Sequence, residues 1–309
     1  MTTALLCPGQ GAQTVGMGKD YFEGFGVARR VYDQADKHLG FELSKVCFEG
    51  PEEHLNKTDI AQLAIFVTSL AIYDTLLELG KIAAPDFAAG LSLGEYTALH
   101  IAGVMNFFDA LDIVKARGQL MQAAADATPS TMLALLGADE AVATALCGEA
   151  TAGTDDCLVP ANFNTPGQIV LSGAIGACER AAKIAESKQG VKAIALKVAG
   201  AFHSPFMQSA AARMAEVLER VEFAVPKMPV VSNVTAQLHG DAAMTKKLLI
   251  QQVVAPVRWY QSIETLRGLG VDRWIELGPG RTLSGMMKKI DRKATVENYA
   301  AAAGLEASR

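Results

Sequence analysis

The stretch from Asp86 to Gly103, DFAAGLSLGEYTALHIAG, constrains the fold more tightly than any other part of the chain. A short apolar run, Phe87 to Leu91, suits a buried strand. A helix-forming run, Glu95 to Ala102, follows at once, and Ser92 stands at the junction between Gly90 and Gly94. A strand that passes directly into a helix through G-x-S-x-G has the layout of a nucleophile elbow in an α/β fold. The two glycines leave no Cβ beside a sharp turn, so the serine can take a strained conformation and project its Oγ into a cleft. The helix starting there aims its free N–H groups and the positive end of its dipole at any anion forming beside Ser92. The same letters also describe a Gly-rich connection whose serine caps a helix, so the chemical reading needs partners from elsewhere in the chain.

The remainder of the sequence supplies a setting for such an elbow. With 309 residues, half of them hydrophobic, the chain can bury one large core and a smaller second one, since single cores stop growing near ~250–300 residues. Thr3 to Cys7 reads as a strand stopped by the Pro8 to Gln13 turn, PGQGAQ. That turn fails as a phosphate cradle: Thr14 stands where a dinucleotide fingerprint wants glycine, and Met17 where a P-loop wants lysine. It can still offer a backbone N–H at the carboxyl end of a strand, where ligands of open α/β sheets bind.

Helical periodicity predicts helices over Tyr21 to Leu39, over Asp59 to Leu79 with Asp59 as its cap, and from Asn106 or Asp109 to Ala127. Arg117 lies in the last of these, on the segment next after the elbow. An arginine on a helix is usually solvated, but this one can reach across the same cleft. Strand, helix, two strands, helix and strand follow between Met132 and Val198, the βαββαβ order of a split ferredoxin-like unit. Of the five histidines, His38 and His54 look like surface helix positions, His100 lies on the elbow helix and His239 in a polar turn. His203 differs, because it leaves a Gly/Ala loop where the chain returns to the larger unit. Clefts between units are favoured ligand sites. Further strands are expected at Pro229 to Asn233 and, last, at Trp274 to Leu277, with a closing helix over Thr282 to Ile290.

The expected fold is therefore α/β, with a hydrolase-like core, a parallel sheet and a nucleophile elbow over residues 1–128 and 199–309, and an inserted ferredoxin-like subdomain over residues 129–198. A net charge of −5 argues against general nucleic-acid binding. Five widely spaced cysteines without C-x-x-C signal neither a disulfide framework nor a metal site. No run of 18 uninterrupted apolar residues and no signal peptide is evident. The expectation is a cytoplasmic monomer with no membrane partner, with an organellar stroma or matrix as the alternative if a transit peptide has been removed.

With Ser92, Arg117 and His203 in view, the chain resembles the malonyl-CoA:acyl carrier protein transacylases of fatty-acid synthesis. The resemblance covers nearly the whole length: PGQGAQ at 8–13, GLSLGEYTAL at 90–99, RGQLMQ at 117–122, PANFNTPGQIVLSG at 160–173, GAFHS at 200–204, QVVAPVRW at 252–259 and ELGPG at 276–280. One departure is Leu91, where many members have histidine. The resemblance implies Ser92 as nucleophile and His203 as base, with the backbone carbonyl of Gln252 holding the imidazole. The N–H groups of Gln10 and Leu93 would form the oxyanion hole. It implies Arg117 as partner of the malonyl carboxylate, Phe202 as a filler against branched acyl chains, Asn162 as a polar wall residue, and Lys288 and Lys289 in carrier docking. By charge alone, Lys188 and Lys192 on the smaller subdomain are candidates for the opposite lip of the cleft. No resident cofactor is implied: coenzyme A arrives as the substrate thioester and phosphopantetheine on the carrier protein. Two other readings compete. An α/β-hydrolase esterase or thioesterase would pass the acyl group to water, and wants an acid between serine and a late histidine; a docking module would keep the elbow as structure alone. A polyketide-pathway acyltransferase would share the chemistry and differ in its carrier.

Overall fold

The computed structural model describes residues 1–305. In chain order the elements are β1 (Thr3–Cys7), α1 (Lys19–Gly24), α2 (Gly26–Leu39), α3 (Leu43–Glu49), α4 (Glu52–Leu55), α5 (Thr58–Glu78), β2 (Phe87–Gly90), α6 (Leu93–Ile101) and α7 (Phe107–Ala127). Then come β3 (Ser130–Leu136), α8 (Glu140–Thr151), β4 (Leu158–Thr165), β5 (Gln168–Ala174), α9 (Ile175–Glu186) and β6 (Lys192–Ala195). A 3₁₀ turn (Pro205–Met207) leads into α10 (Gln208–Glu219), followed by β7 (Val230–Val231), α11 (Ala242–Gln252), α12 (Trp259–Gly268), β8 (Arg273–Glu276), α13 (Thr282–Ile290) and β9 (Val296–Asn298).

Five strands form a parallel sheet in the order β7-β2-β1-β8-β9. Strands β7, β2 and β1 are apolar on both faces, as a sheet covered by helices on two sides requires, whereas β8 and β9 toward the edge carry Arg273, Glu276, Glu297 and Asn298. Alternation along β1 shows the division: Leu5 and Cys7 join the core under α2, α5, α6 and α7, while Ala4 and Leu6 join the core under α12 and α13. The central position of β1 puts the Pro8 turn at the carboxyl edge of the sheet, next to the elbow that leaves β2.

The second sheet, β4-β5-β3-β6, is antiparallel throughout and has its own core, in which Leu133, Leu135, Leu171 and Phe163 pack against Leu146 and Ala181 of α8 and α9. The predicted βαββαβ subdomain is thus present. A bulge in β4 between Pro160 and Asn162 bends it toward the larger unit, where Asn162 bridges Val257 and Phe163 N donates to Val257 O at 2.9 Å.

Several expectations need correction. Tyr21 to Leu39 is two helices, because Phe25 is extended (φ −134°, ψ 126°) and its ring is buried between them. The short α3 and α4 have too few residues to show a helical period. Asp59 does not cap α5; Lys57 occupies that position and its side chain makes no capping bond, while Gln122 Oε1 of α7 accepts from Thr58 N at 3.3 Å. Asn106 caps α7 by accepting from Asp109 N at 2.9 Å. β8 is not the last strand, since β9 adds to the sheet edge beside it. Helix α5 is long and apolar enough to cross a membrane, with a mean hydropathy of 1.7. Here 83% of its most apolar window is buried inside the protein, packed against α2 and α7.

Candidate active site

The elbow is built as the glycine spacing requires. A Cβ on Gly90 would overlap the backbone of Gly94, and one on Gly94 would overlap the Cys7 carbonyl of β1. A Cβ on Gly9 would likewise meet the Leu91 carbonyl. Elbow and Pro8 turn are therefore in backbone contact. Ser92 takes the strain, with φ 53° and ψ −102°, a region that side chains rarely adopt and that persists only where the surroundings fix it. Asn233 supplies that fixing: its Oδ1 accepts from Ser92 N at 2.7 Å while its Nδ2 donates to Gly90 O at 2.7 Å.

The predicted partners converge on Ser92. His203 Nε2 lies 2.8 Å from Ser92 Oγ, and His203 Nδ1 lies 2.8 Å from the carbonyl oxygen of Gln252, the last residue of α11. A carbonyl only accepts, so Nδ1 carries the proton and Nε2 faces the serine as a base. His203 is itself in the left-handed region, φ 57°, which turns its ring back over the elbow. Burial, and then the nearby charge of Arg117, push its pKa down from 6.5 to about 4.

Arg117 is not a solvated helix arginine but 1% exposed. Its guanidinium donates to Gln62 Oε1 at 2.5 Å, to Gln252 Oε1 at 2.9 Å and to Ser92 Oγ at 2.9 Å, and it lies over the Tyr96 ring, 5.1 Å from the centroid. Burial lowers its own pKa and pushes the Tyr96 phenol up to about 12. Among the described residues no carboxylate forms an ion pair with Arg117. A buried guanidinium held only by neutral groups is a receptor for an anion brought by a ligand.

Leu93 is the first residue of α6, and Gln10 sits in the Pro8 turn that the elbow touches. Neither N–H donates to a protein acceptor among the described residues, so both are free for a developing oxyanion. Phe202 is buried in the main core, and its carbonyl accepts from Ser172 Oγ of β5 at 2.6 Å. Asn162 is half-buried on the bulge of β4, and its side chain makes no hydrogen bond among the described residues. Leu91 packs in the opposite core with Ala89 and Trp259 and takes no part in the polar cluster.

Lys288 and Lys289 are exposed in the last turn of α13, and Lys289 Nζ reaches Gln168 Oε1 of β5 at 3.1 Å, across to the smaller sheet. Leu136 pairs with both Gln168 and Lys192, so Lys192 stands on the same row of that sheet, two strands away. Lys188 is instead engaged by Glu149 at 2.7 Å.

Five polar side chains of the site escaped the sequence reading. Gln62 had a signal, being a lone amide inside the apolar run of α5, and Asn233 follows the carboxyl end of β7. The side chain of Gln252 and the buried pair Glu95 and His239 had none. His239 is not in a solvated turn, for its side chain is fully buried 2.7 Å from Glu95 Oε1.

Known proteins resemble the chain over nearly its whole length. A family model described as acyl transferase domain matches residues 4–305. A malonyl CoA-acyl carrier protein transacylase of Bacillus subtilis is 41% identical over 290 residues, 94% of this chain and 90% of that protein. One from Escherichia coli is 37% identical over 307 residues, 98% of each. A solved transacylase of that name from Coxiella burnetii superposes with a TM-score of 0.93 at 34% identity, covering 97% of this chain and 94% of the other. A malonyl-transacylase solved in complex with its type II PKS acyl-carrier protein gives 0.92 at 37% identity, with 97% and 96% covered. Nearly the whole length is matched, and the chain belongs to the acyl transferase domain family.

Proposed function

We propose that the chain transfers a malonyl group from malonyl-CoA to the phosphopantetheine thiol of an acyl carrier protein, through a malonyl ester of Ser92, and so supplies fatty-acid biosynthesis. The observation that carries this reading is Ser92 Oγ itself, which lies between a base, His203 Nε2 at 2.8 Å, and an unpaired guanidinium, Arg117 at 2.9 Å. One copy of the chain supplies every group involved.

In the first half, Ser92 Oγ bonds to the thioester carbonyl carbon as its proton passes to His203 Nε2. The charge that develops on the carbonyl oxygen is met by the N–H groups of Leu93 and Gln10. The C–S bond then breaks, and the departing coenzyme A sulfur takes the proton from His203. In the second half the carrier thiol gives its proton to His203 and attacks the ester carbonyl, which releases Ser92 Oγ and returns the proton to it. The Gln252 carbonyl holds the imidazole throughout, a role that elsewhere falls to a carboxylate. Arg117 pairs with the malonyl carboxylate, Phe202 narrows the space beside the base, and Asn162 lines the wall on the side of the smaller sheet. Acyl transfer from malonyl-CoA to a carrier thiol tests the reading; release of free malonate in place of malonyl carrier would make the chain a hydrolase.

The base works in its neutral form, so activity is lost on the acid side. Because burial and Arg117 hold His203 down near about 4, kcat/KM for malonyl-CoA should stay level from pH 7 to about 5 and fall roughly tenfold per unit below about 4. A limb centred on the ordinary histidine value of 6.5 would show a solvated imidazole instead.

Lys288, Lys289 and Lys192 provide positive charge on an otherwise acidic protein, on either side of the junction between the two sheets. An acidic carrier protein docks there in this reading. Reversing Lys288 and Lys289 to glutamate should raise KM for the carrier about 10-fold at low salt, where surface charge is least screened, and leave acylation of Ser92 by malonyl-CoA intact. An unchanged KM would place docking on another face.

A further inference from the structure

Glu95 is a carboxylate with no exposure to solvent, and the chemistry above does not use it. It stands in the first turn of α6, three residues after the nucleophile. Its Oε2 accepts from Gln252 Nε2 at 2.6 Å, and its Oε1 lies 2.7 Å from His239 Nε2. The other ring nitrogen of His239 has no partner among the described residues, so Glu95 is the polar anchor of that ring.

Gln252 joins this pair to the reacting groups. Arg117 can only donate, so the atom 2.9 Å from its guanidinium is the amide oxygen of Gln252. The amide NH₂ then faces acceptors at its other end: the Ser92 carbonyl at 2.8 Å and the Glu95 carboxylate. The main-chain oxygen of the same residue holds His203 Nδ1. One fully buried glutamine thus touches the nucleophile's backbone, the base and the arginine. Beside the Ser92 carbonyl, the Glu95 carboxylate is the charged side-chain acceptor that fixes the rotation of its amide.

We propose that Glu95 is a positioning residue that sets acyl selectivity: by fixing the Gln252 amide, it holds the Arg117 guanidinium where a substrate carboxylate is read. His239 keeps the Glu95 carboxylate in place from the far side. This rests on the malonyl-transfer reading. Glu95 touches neither substrate nor the reacting atoms, and reaches Arg117 only through Gln252.

Selectivity, not overall rate, is the quantity that separates this role from a merely structural one. In Glu95→Ala the ratio of malonyl to acetyl kcat/KM should fall about 10-fold or more, through loss of malonyl transfer, as small misplacements of a positioning group do. Glu95→Gln keeps the shape and an oxygen that can accept from Gln252, and should hold the ratio within about 3-fold of the natural protein. Phenylmethanesulfonyl fluoride, a neutral serine reagent, reads Ser92 and His203 without a carboxylate, and its rate on Glu95→Ala should change by less than about 3-fold. An unchanged ratio, or an equal loss for malonyl, acetyl and sulfonyl fluoride, overturns the proposal. Should Glu95→Ala not fold, His239→Ala frees the carboxylate from one side and should shift the same ratio in the same direction; a flat ratio there overturns it too. A natural protein that moves no malonyl at all sinks the functional reading, whereas normal transfer with a flat ratio sinks only the role of Glu95.

Discussion

Replacing Ser92 by alanine should abolish the malonyl-enzyme and lower malonyl transfer by on the order of 10⁴–10⁶-fold, the range seen when a nucleophile is removed from a preorganised site. The natural protein mixed with malonyl-CoA and no acceptor should gain the mass of one malonyl group, and the variant none. The elbow supports this expectation independently of the relatives, because Ser92 is held in a strained conformation by Asn233 and Gly90, with its Oγ turned toward His203. Cys7, whose carbonyl accepts from Leu91 N beside the elbow, is a poor rival. It is fully buried, and burial pushes its thiol up to about 12, so it stays protonated and shielded from the thioester. An adduct that persists in Ser92→Ala, or maps to Cys7 in the natural protein, would remove Ser92 from its role.

Arg117→Ala should lower kcat/KM for malonyl-CoA by about 10²–10³-fold, since truncating one partner of a buried charge pair costs about 2–5 kcal/mol. Acetyl-CoA should be affected far less, and its relative use should rise. The variant removes the partner of the malonyl carboxylate together with the penalty for leaving a guanidinium unpaired against a neutral acyl group. Arg117→Lys should not restore selectivity, because an ammonium cannot reproduce the paired donors of the guanidinium. Two features of the site sharpen the test. Arg117 is held by neutral amides from Gln62 and Gln252, so it has no internal carboxylate to satisfy it when malonyl is absent. It also donates to Ser92 Oγ, so a uniform loss for both acyl groups would mark it as a support for the nucleophile and end the selectivity argument.

The parts of this architecture that the sequence announced are those with a local rule. Gly90 and Gly94 announce the elbow because a Cβ at either one would strike backbone. The smaller sheet was legible because its strands and helices follow one another within one short segment and its ladders join only those strands. Ser92, His203 and Arg117 were legible through motifs, although nothing in the helical period of α7 distinguished a buried Arg117 from a solvated one. The break at Phe25 was not legible, since an aromatic residue fits either a continuous helix or a buried joint. Glu95, Asn233, His239 and the amide of Gln252 were hidden for a different reason. Each is a single polar residue whose partners lie far away in sequence: Glu95 meets residues 239 and 252, and Asn233 meets residues 90 and 92. Such contacts have no period and no spacing, and only the assembled sheet brings them together.

The order in which these pieces leave the ribosome follows from the strand pairing. All ladder bonds of the smaller sheet lie between residues 130 and 195, so it can close while the rest of the chain is still being made. The larger sheet cannot, because β1, the first strand synthesised, must wait for β8 at Arg273 to Glu276 before its second edge is paired. Pairing across so long an interval is slow and comes late. During that interval the growing chain already displays the glycines and serine of the elbow, but Asn233, His239 and Gln252 have not arrived to clamp Ser92, seat Glu95 or hold the imidazole. A half-made chain therefore carries no competent nucleophile, and a thioester meets a reactive serine only once the later strands and helices are in place.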